Sequence, residues 1–148
     1  MSSFSLNLNL IMNFFDKKPI KFEKLYTATQ HNGCAKVFHE KCDHKGPTLT
    51  IIESDKGFIF GGFTQKQWGN NNARNQPDPA SFLFSINSKQ KFNAKNVDGI
   101  YSSPSYGPHF YGTNYKQDFI FNINHEADDN LHLSNKMRAP FHSTKGNK

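Results

Sequence analysis

Arginine is scarce in this chain: Arg74 and Arg138 are the only arginines among 18 Lys and Arg residues, although the net charge is +6 and the isoelectric point near 9.3. Readout of base edges leans on the planar, bidentate guanidinium, so a positive excess carried by lysine argues against specific nucleic-acid recognition. The densest basic stretch, Lys17, Lys18, Lys21 and Lys24, is diluted by Asp16 and Glu23 and reads as a solvated face. Long apolar runs are missing too. None approaches the roughly 20 residues that cross a bilayer, so no transmembrane segment is expected and membrane association would be indirect, through a partner. Cys34 and Cys42 are the only cysteines, too few for a disulfide framework. Residues 1–15 lack the positive start of a secretory leader, and Met1-Ser2 lacks the glycine needed for myristoylation. A reduced, cytoplasmic protein is the expectation.

What the chain has in excess is phenylalanine, 15 copies in 148 residues of which 35% are apolar. Each buried ring removes on the order of 150–250 Å² from water, so a few large rings must supply most of one core, and the length fits one domain. Aromatic residues suit pleated sheets. The opening segment fits two periods: Phe4, Leu6, Leu8 and Leu10 alternate like a strand, while Leu8, Ile11, Met12 and Phe15 have helical spacing. The helix is the preferred reading, stopped by Pro19. Cys34, Val37, Phe38 and Cys42 then predict an amphipathic helix with Asn32 as its N-cap. Two β-rich runs, 48–52 and 58–63, flank a loop ending in Gly57 and predict a hairpin.

Residues 69–79, with three consecutive asparagines and two prolines, read as an exposed loop, and Phe82, Phe84 and Ile86 alternate as a strand. The stretch 89–98 is polar around Phe92, a short strand is expected at Ile100 and Tyr101, and Phe119, Phe121 and Ile123 predict the last strand. Phe60, Phe82, Phe84, Phe119 and Phe121 are the expected core. Beyond Asn124 periodicity ends, and Leu131, Leu133, Met137 and Phe141 are the few apolar anchors left.

Taken in order, Leu25-Tyr26, the polar turn with Gly33, Phe38-His39, Cys42-Asp43, Gly46-Pro47-Thr48-Leu49, Phe60-Gly61-Gly62-Phe63, Trp68 and Phe82-Leu83-Phe84-Ser85 resemble the TLDc (TLD) domain family over residues 22–110. The residues agree physically with that resemblance. Gly46-Pro47 breaks the helix, Gly61-Gly62 permits close backbone approach or a bulge, and Trp68 is large enough to cover a sandwich edge. The implied fold is mainly β with short helices (α+β), two antiparallel sheets packed as a β-sandwich. The implied organisation is an N-terminal helical segment (1–21), the TLDc-like domain (22–123) and a divergent tail (124–148). The resemblance weakens after Phe110, and the family's closing strand has no counterpart. The tail is therefore expected to be loosely ordered or ordered by a partner, with Leu131, Leu133, Met137 and Phe141 as the candidate partner-binding residues.

Membership of that family implies a non-catalytic protein-binding module linked to oxidative-stress resistance and to the vacuolar-type proton ATPase, at the cytosolic face of an organelle. Two alternatives stand beside it: a permanent structural subunit of a large assembly, and a thiol enzyme that scavenges peroxide through Cys34 or Cys42. The histidines are scattered without a flanked nucleophile or paired acids, so no catalytic residue and no cofactor are expected. Cys34, His39, Cys42 and His44 are zinc-type ligands, yet residues five apart on a helix point about 140° away from each other. No metal site is expected, and the thiols read as a buried pair beside exposed imidazoles.

Overall fold

The computed structural model describes residues 9–16, 20–28, 30, 34–53, 57–69, 75–95 and 98–111. Strands β1 (Thr48–Glu53), β2 (Ile59–Thr64), β4 (Phe82–Ser85) and β5 (Gln90–Asn93) form one antiparallel sheet in the order β1-β2-β4-β5. A second antiparallel sheet has the order β3-β6-β7, from β3 (Asn75–Pro77), β6 (Gly99–Tyr101) and β7 (Phe110–Tyr111). Helix α1 (Ala35–Cys42) packs with both. This is the mainly β, α+β sandwich that the sequence leads one to expect.

The register explains how one sheet serves two cores. Phe60 pairs with Ser85, Gly61 with Phe84, Gly62 with Leu83 and Phe63 with Phe82, so alternate residues project to opposite faces. On the inner face Ile52 and Phe60, with Leu83 and Phe92 partly buried, meet Phe38 and Cys42 of α1, Trp68, and Ile100 and Phe110 of the second sheet. The outer face carries Phe82 and Phe84, flanked by Leu49, Ile51, Phe63 and Ile86, and is covered by Ile11, Phe14 and Phe15. The expectation of one core holding Phe60, Phe82 and Phe84 together is therefore corrected: all three are buried, at 4%, 5% and 0% exposure, but on opposite sides of one sheet. Phe119 and Phe121 lie outside the described residues.

The outer cover is helical at residues 9–12 and continues as a 3₁₀ turn, Asn13–Phe15. It ends at Asp16 with φ 55°, a left-handed residue, rather than at Pro19, which lies outside the described residues. Phe15 sets its edge on Phe63 and Phe82, with ring centroids 5.0 and 5.3 Å away. Lys91 holds the segment from β5, its Nζ donating to the Phe14 carbonyl at 2.8 Å and lying 4.5 Å from the Phe82 ring centre.

Paired glycines at 61 and 62 make both faces possible. A Cβ at Gly61 would overlap the Thr50 carbonyl oxygen and come 2.9 Å from the Phe84 ring, and one at Gly62 would come 2.7 Å from the Phe110 ring. The register runs through both without a bulge, so close approach is their role. Gly57 turns the β1–β2 hairpin at φ 85°, as expected.

Four further expectations change. Helix α1 is N-capped by Cys34, with no side-chain capping bond, and not by Asn32, which lies outside the described residues. Starting two residues later turns Ala35, Phe38 and Cys42 inward and leaves Cys34 half-exposed. The polar loop 69–79 contains β3 and the buried Asp78, and the polar stretch 89–98 contains β5; hydrogen bonding to β6 and β4 overrides their composition. Strand β7 arises in a Gly/Tyr-rich stretch that carries no strand signal. The expected strand at 119–123 and the tail 124–148 lie outside the described residues.

Replacing Phe84 with Ala is expected to cost about 3–5 kcal/mol, and Gly62→Ala about 1–3 kcal/mol through overpacking against Phe110. Urea denaturation reads both. A Phe84→Ala variant with an unshifted midpoint would contradict the outer core.

Candidate functional site

Trp68 is the centre of the polar and aromatic seam that joins α1 to the two sheets. Its ring stands edge-on to Phe38 and Phe110, at centroid distances of 5.8 and 5.9 Å, and Nε1 donates to Thr48 Oγ1 at 2.9 Å. Its backbone forms a parallel bridge with Asp43, and its carbonyl accepts from the His44 N–H at 3.0 Å. At 1% exposure it lies inside the sandwich, not over its edge as the sequence reading had it. Gly69 follows at φ 108°, where a Cβ would press on the Asp43 carboxyl carbon and the His44 ring, both 2.9 Å away. Its N–H donates to Ser102 Oγ at 3.1 Å.

His39 is the principal side chain of the seam. Its Nε2 lies 2.9 Å from the Ser103 carbonyl oxygen and 2.8 Å from that of Tyr106. Both neighbours are acceptors only, so Nε2 carries a proton and donates to the pair. Nδ1 lies 2.6 Å from Asp43 Oδ1, and one proton is held between those atoms. Both ring nitrogens are thus committed, clamping α1 to the 102–109 connection between β6 and β7. The sequence reading of exposed imidazoles is corrected for His39, whose side chain is 11% exposed; His44 is exposed.

A second joint lies on the buried Asp78. Its Oδ2 accepts from Thr64 Oγ1 at 2.6 Å and from the Gln65 N–H at 2.8 Å, and Oδ1 from the Ala80 N–H at 3.1 Å. This carboxylate ties the end of β2 to the turn after β3. Nothing in the local sequence marked it, because its partners are supplied by tertiary contact.

Of the residues singled out in the sequence, Phe38, His39, Cys42, Asp43, Thr48, Phe60, Gly62 and Trp68 come together around this seam. Gly61, Phe82 and Phe84 belong to the outer face. Gly46 and Pro47 form the connection into β1. Gly33, Leu131, Leu133, Met137 and Phe141 lie outside the described residues. Among the described residues no three His, Cys, Asp or Glu side chains gather as a metal site would require.

Burial, and next the Asp43 carboxylate, push the Cys42 thiol up to about 11. It is therefore protonated near neutrality and a poor nucleophile. Burial likewise raises the Tyr26 phenol to about 12; its hydroxyl donates to the Cys34 carbonyl at 3.3 Å.

A four-stranded and a three-stranded antiparallel sheet, locked through an internal tryptophan and a histidine clamp, define a β-sandwich module of the α+β class. Residues 2–110 match the TLDc domain, and the chain belongs to that family. The match begins upstream of residue 22 and takes in the helical cover. Over 105 residues, 69% of this chain, it is 30% identical to MTOR-associated protein MEAK7 of Xenopus laevis. Over 62 residues, 42% of this chain, it is 32% identical to MTOR-associated protein MEAK7 of Danio rerio. These matches span 20% and 14% of the two relatives' lengths. Among the described residues no helix is long and apolar enough to cross a membrane.

Two measurements check the seam. A double-mutant cycle on His39→Ala and Asp43→Ala is expected to give a coupling of about 1.5–3 kcal/mol; near-additive losses would mean that the pair is idle. Cys42 and Tyr26 keep their protons in the folded state when the unfolded chain has lost them, so the folded state's advantage is full below pH 9. Stability then falls as pH rises from 9 through about 11 for Cys42, and from 10 through about 12 for Tyr26. Urea midpoints across that range should fall, and the early part of the decline should flatten in Cys42→Ala.

Proposed function

We propose that this chain is a non-catalytic protein-binding module. The observation that carries the reading is its TLDc membership over residues 2–110, shared with relatives named for association with mTOR. The seam agrees with a binding role. The imidazole of His39 spends both nitrogens on structure, and the Cys42 thiol is held protonated, which weakens the peroxide-scavenging alternative. The partner classes to probe first are an mTOR-containing assembly, from the relatives' name, and the vacuolar-type proton ATPase, from the family resemblance, with oxidative-stress resistance as the cellular consequence. On this reading the module works in the cytoplasm, at the cytosolic face of an organelle. The domain runs to residue 123, and 124–148, with Leu131, Leu133, Met137 and Phe141, is the attachment segment.

Affinity purification of the tagged full chain from its native source tests this. Recovery of an mTOR or proton-ATPase assembly, lost on deleting 124–148 while the circular dichroism of the remainder is retained, is the expected result. A partner present at fixed one-to-one stoichiometry in every preparation would favour the structural-subunit alternative over a regulator. Catalytic consumption of peroxide by the purified chain, abolished by Cys34→Ser or Cys42→Ser, would overturn the non-catalytic reading. So would unchanged partner binding after the deletion, for the attachment segment.

A further inference from the structure

His109 is a half-buried titratable side chain that the seam does not use. It lies immediately before β7, and its carbonyl accepts from the Tyr101 N–H at 3.0 Å, extending the β6–β7 pairing by one residue. Its ring lies 5.1 Å from that of Tyr101 and 5.9 Å from that of Tyr106, which are themselves 6.3 Å apart. The three rings form one cluster over the 102–109 connection. Within it, His109 Nδ1 is shielded from solvent and has no hydrogen-bond partner among the described residues.

An imidazole nitrogen in that position tolerates only one state. As a bare lone pair it loses one acceptor interaction; as an N–H of a cationic ring it would be a buried, charged donor with no acceptor, which costs far more. The neutral ring with its proton on Nε2 therefore fits the cluster, and the cation does not. Among the described residues, the titratable groups in ring contact with His109 are the phenols of Tyr101 on β6 and Tyr106 in the connection. Across the connection, on α1, stand His39 and Asp43, engaged with each other and with the carbonyls of Ser103 and Tyr106.

We propose that His109 is a proton-sensitive latch on the 102–109 connection: the neutral ring keeps the connection closed against α1, and protonation expels the ring and releases it. The Tyr106 carbonyl accepts from His39 while the Tyr106 ring packs on His109. Expulsion of the His109 ring therefore removes one of the supports of the clamp and reshapes this surface without dismantling either core. Burial alone accounts for the depressed basicity of this imidazole, lowered from 6.5 to about 4. The sign follows. The unfolded or released chain binds the proton below pH 6.5, so the closed state loses stability as pH falls from 6.5 towards 4 and is fully favoured above that window.

The test is a nuclear magnetic resonance titration of the full chain from pH 7.5 to 4, following the imidazole carbon-bound protons and the amides of residues 102–111, with His109→Phe as the reference. The His109 resonances should titrate at least one pH unit below an ordinary imidazole. The amides of 102–108 should shift with the same midpoint while those of β1 and β2 stay in place, and the transition should be absent from His109→Phe. A His109 midpoint near 6.5, a 102–108 transition surviving in the variant, or a connection unmoved through the His109 titration would each overturn the latch. If the chain unfolds as a whole within the range, His109→Phe should stay folded to lower pH than the parent. Equal acid midpoints for the two would also overturn it.

Discussion

Everything in this fold depends on the thinness of β2 at Gly61-Gly62. Two successive residues without side chains let the central sheet be approached from both sides, by the Phe84 ring on one face and the Phe110 ring on the other. A side chain at either position would hold one layer off and open gaps where the aromatic rings now touch, and interiors close-packed like organic crystals do not absorb such gaps cheaply. The β-sandwich and its helical cover are thus consequences of one dipeptide as much as of the large residues around it.

The polar joints are complementary to that packing. Apolar contact between the sheets is non-directional; what fixes their relative position is a small set of hydrogen bonds with demanding geometry. Trp68 to Thr48, Thr64 to Asp78, Gly69 to Ser102, and His39 to the Ser103 and Tyr106 carbonyls each cross between elements that are separate in the chain. Residues that look like chemistry in the sequence, a histidine four positions before an aspartate and a cysteine between them, are in the structure the fasteners of the sandwich.

The legible part of the fold was its periodic part. The β1–β2 hairpin, β4, β6 and the amphipathic α1 were read from alternation, helical spacing and the glycine turn, because their burial is set locally. Strands β3 and β5 were not, since both are polar segments made strands by the neighbour they pair with. The N-cap at Asn32 was a propensity argument that the extended conformation of Cys34 displaced. For the site, the TLDc motif residues were recognised as a set, and eight of them do converge on the seam, but His39 bonds to residues 64 and 67 positions away. No pattern in a single sequence carries such a pairing. Asp78, inside what reads as a polar loop, was invisible for the same reason.

The outer core has a consequence in time. Phe14, Phe15 and Ile11 are made early, whereas the strands they cover come much later, as the 77-residue span from Phe14 to Lys91 records. At about 5–20 residues per second, translation leaves these apolar residues waiting on the order of 4–15 s before their sheet exists. During that interval they form an uncovered hydrophobic stretch on a nascent chain, open to whichever chaperone or neighbouring chain meets it first.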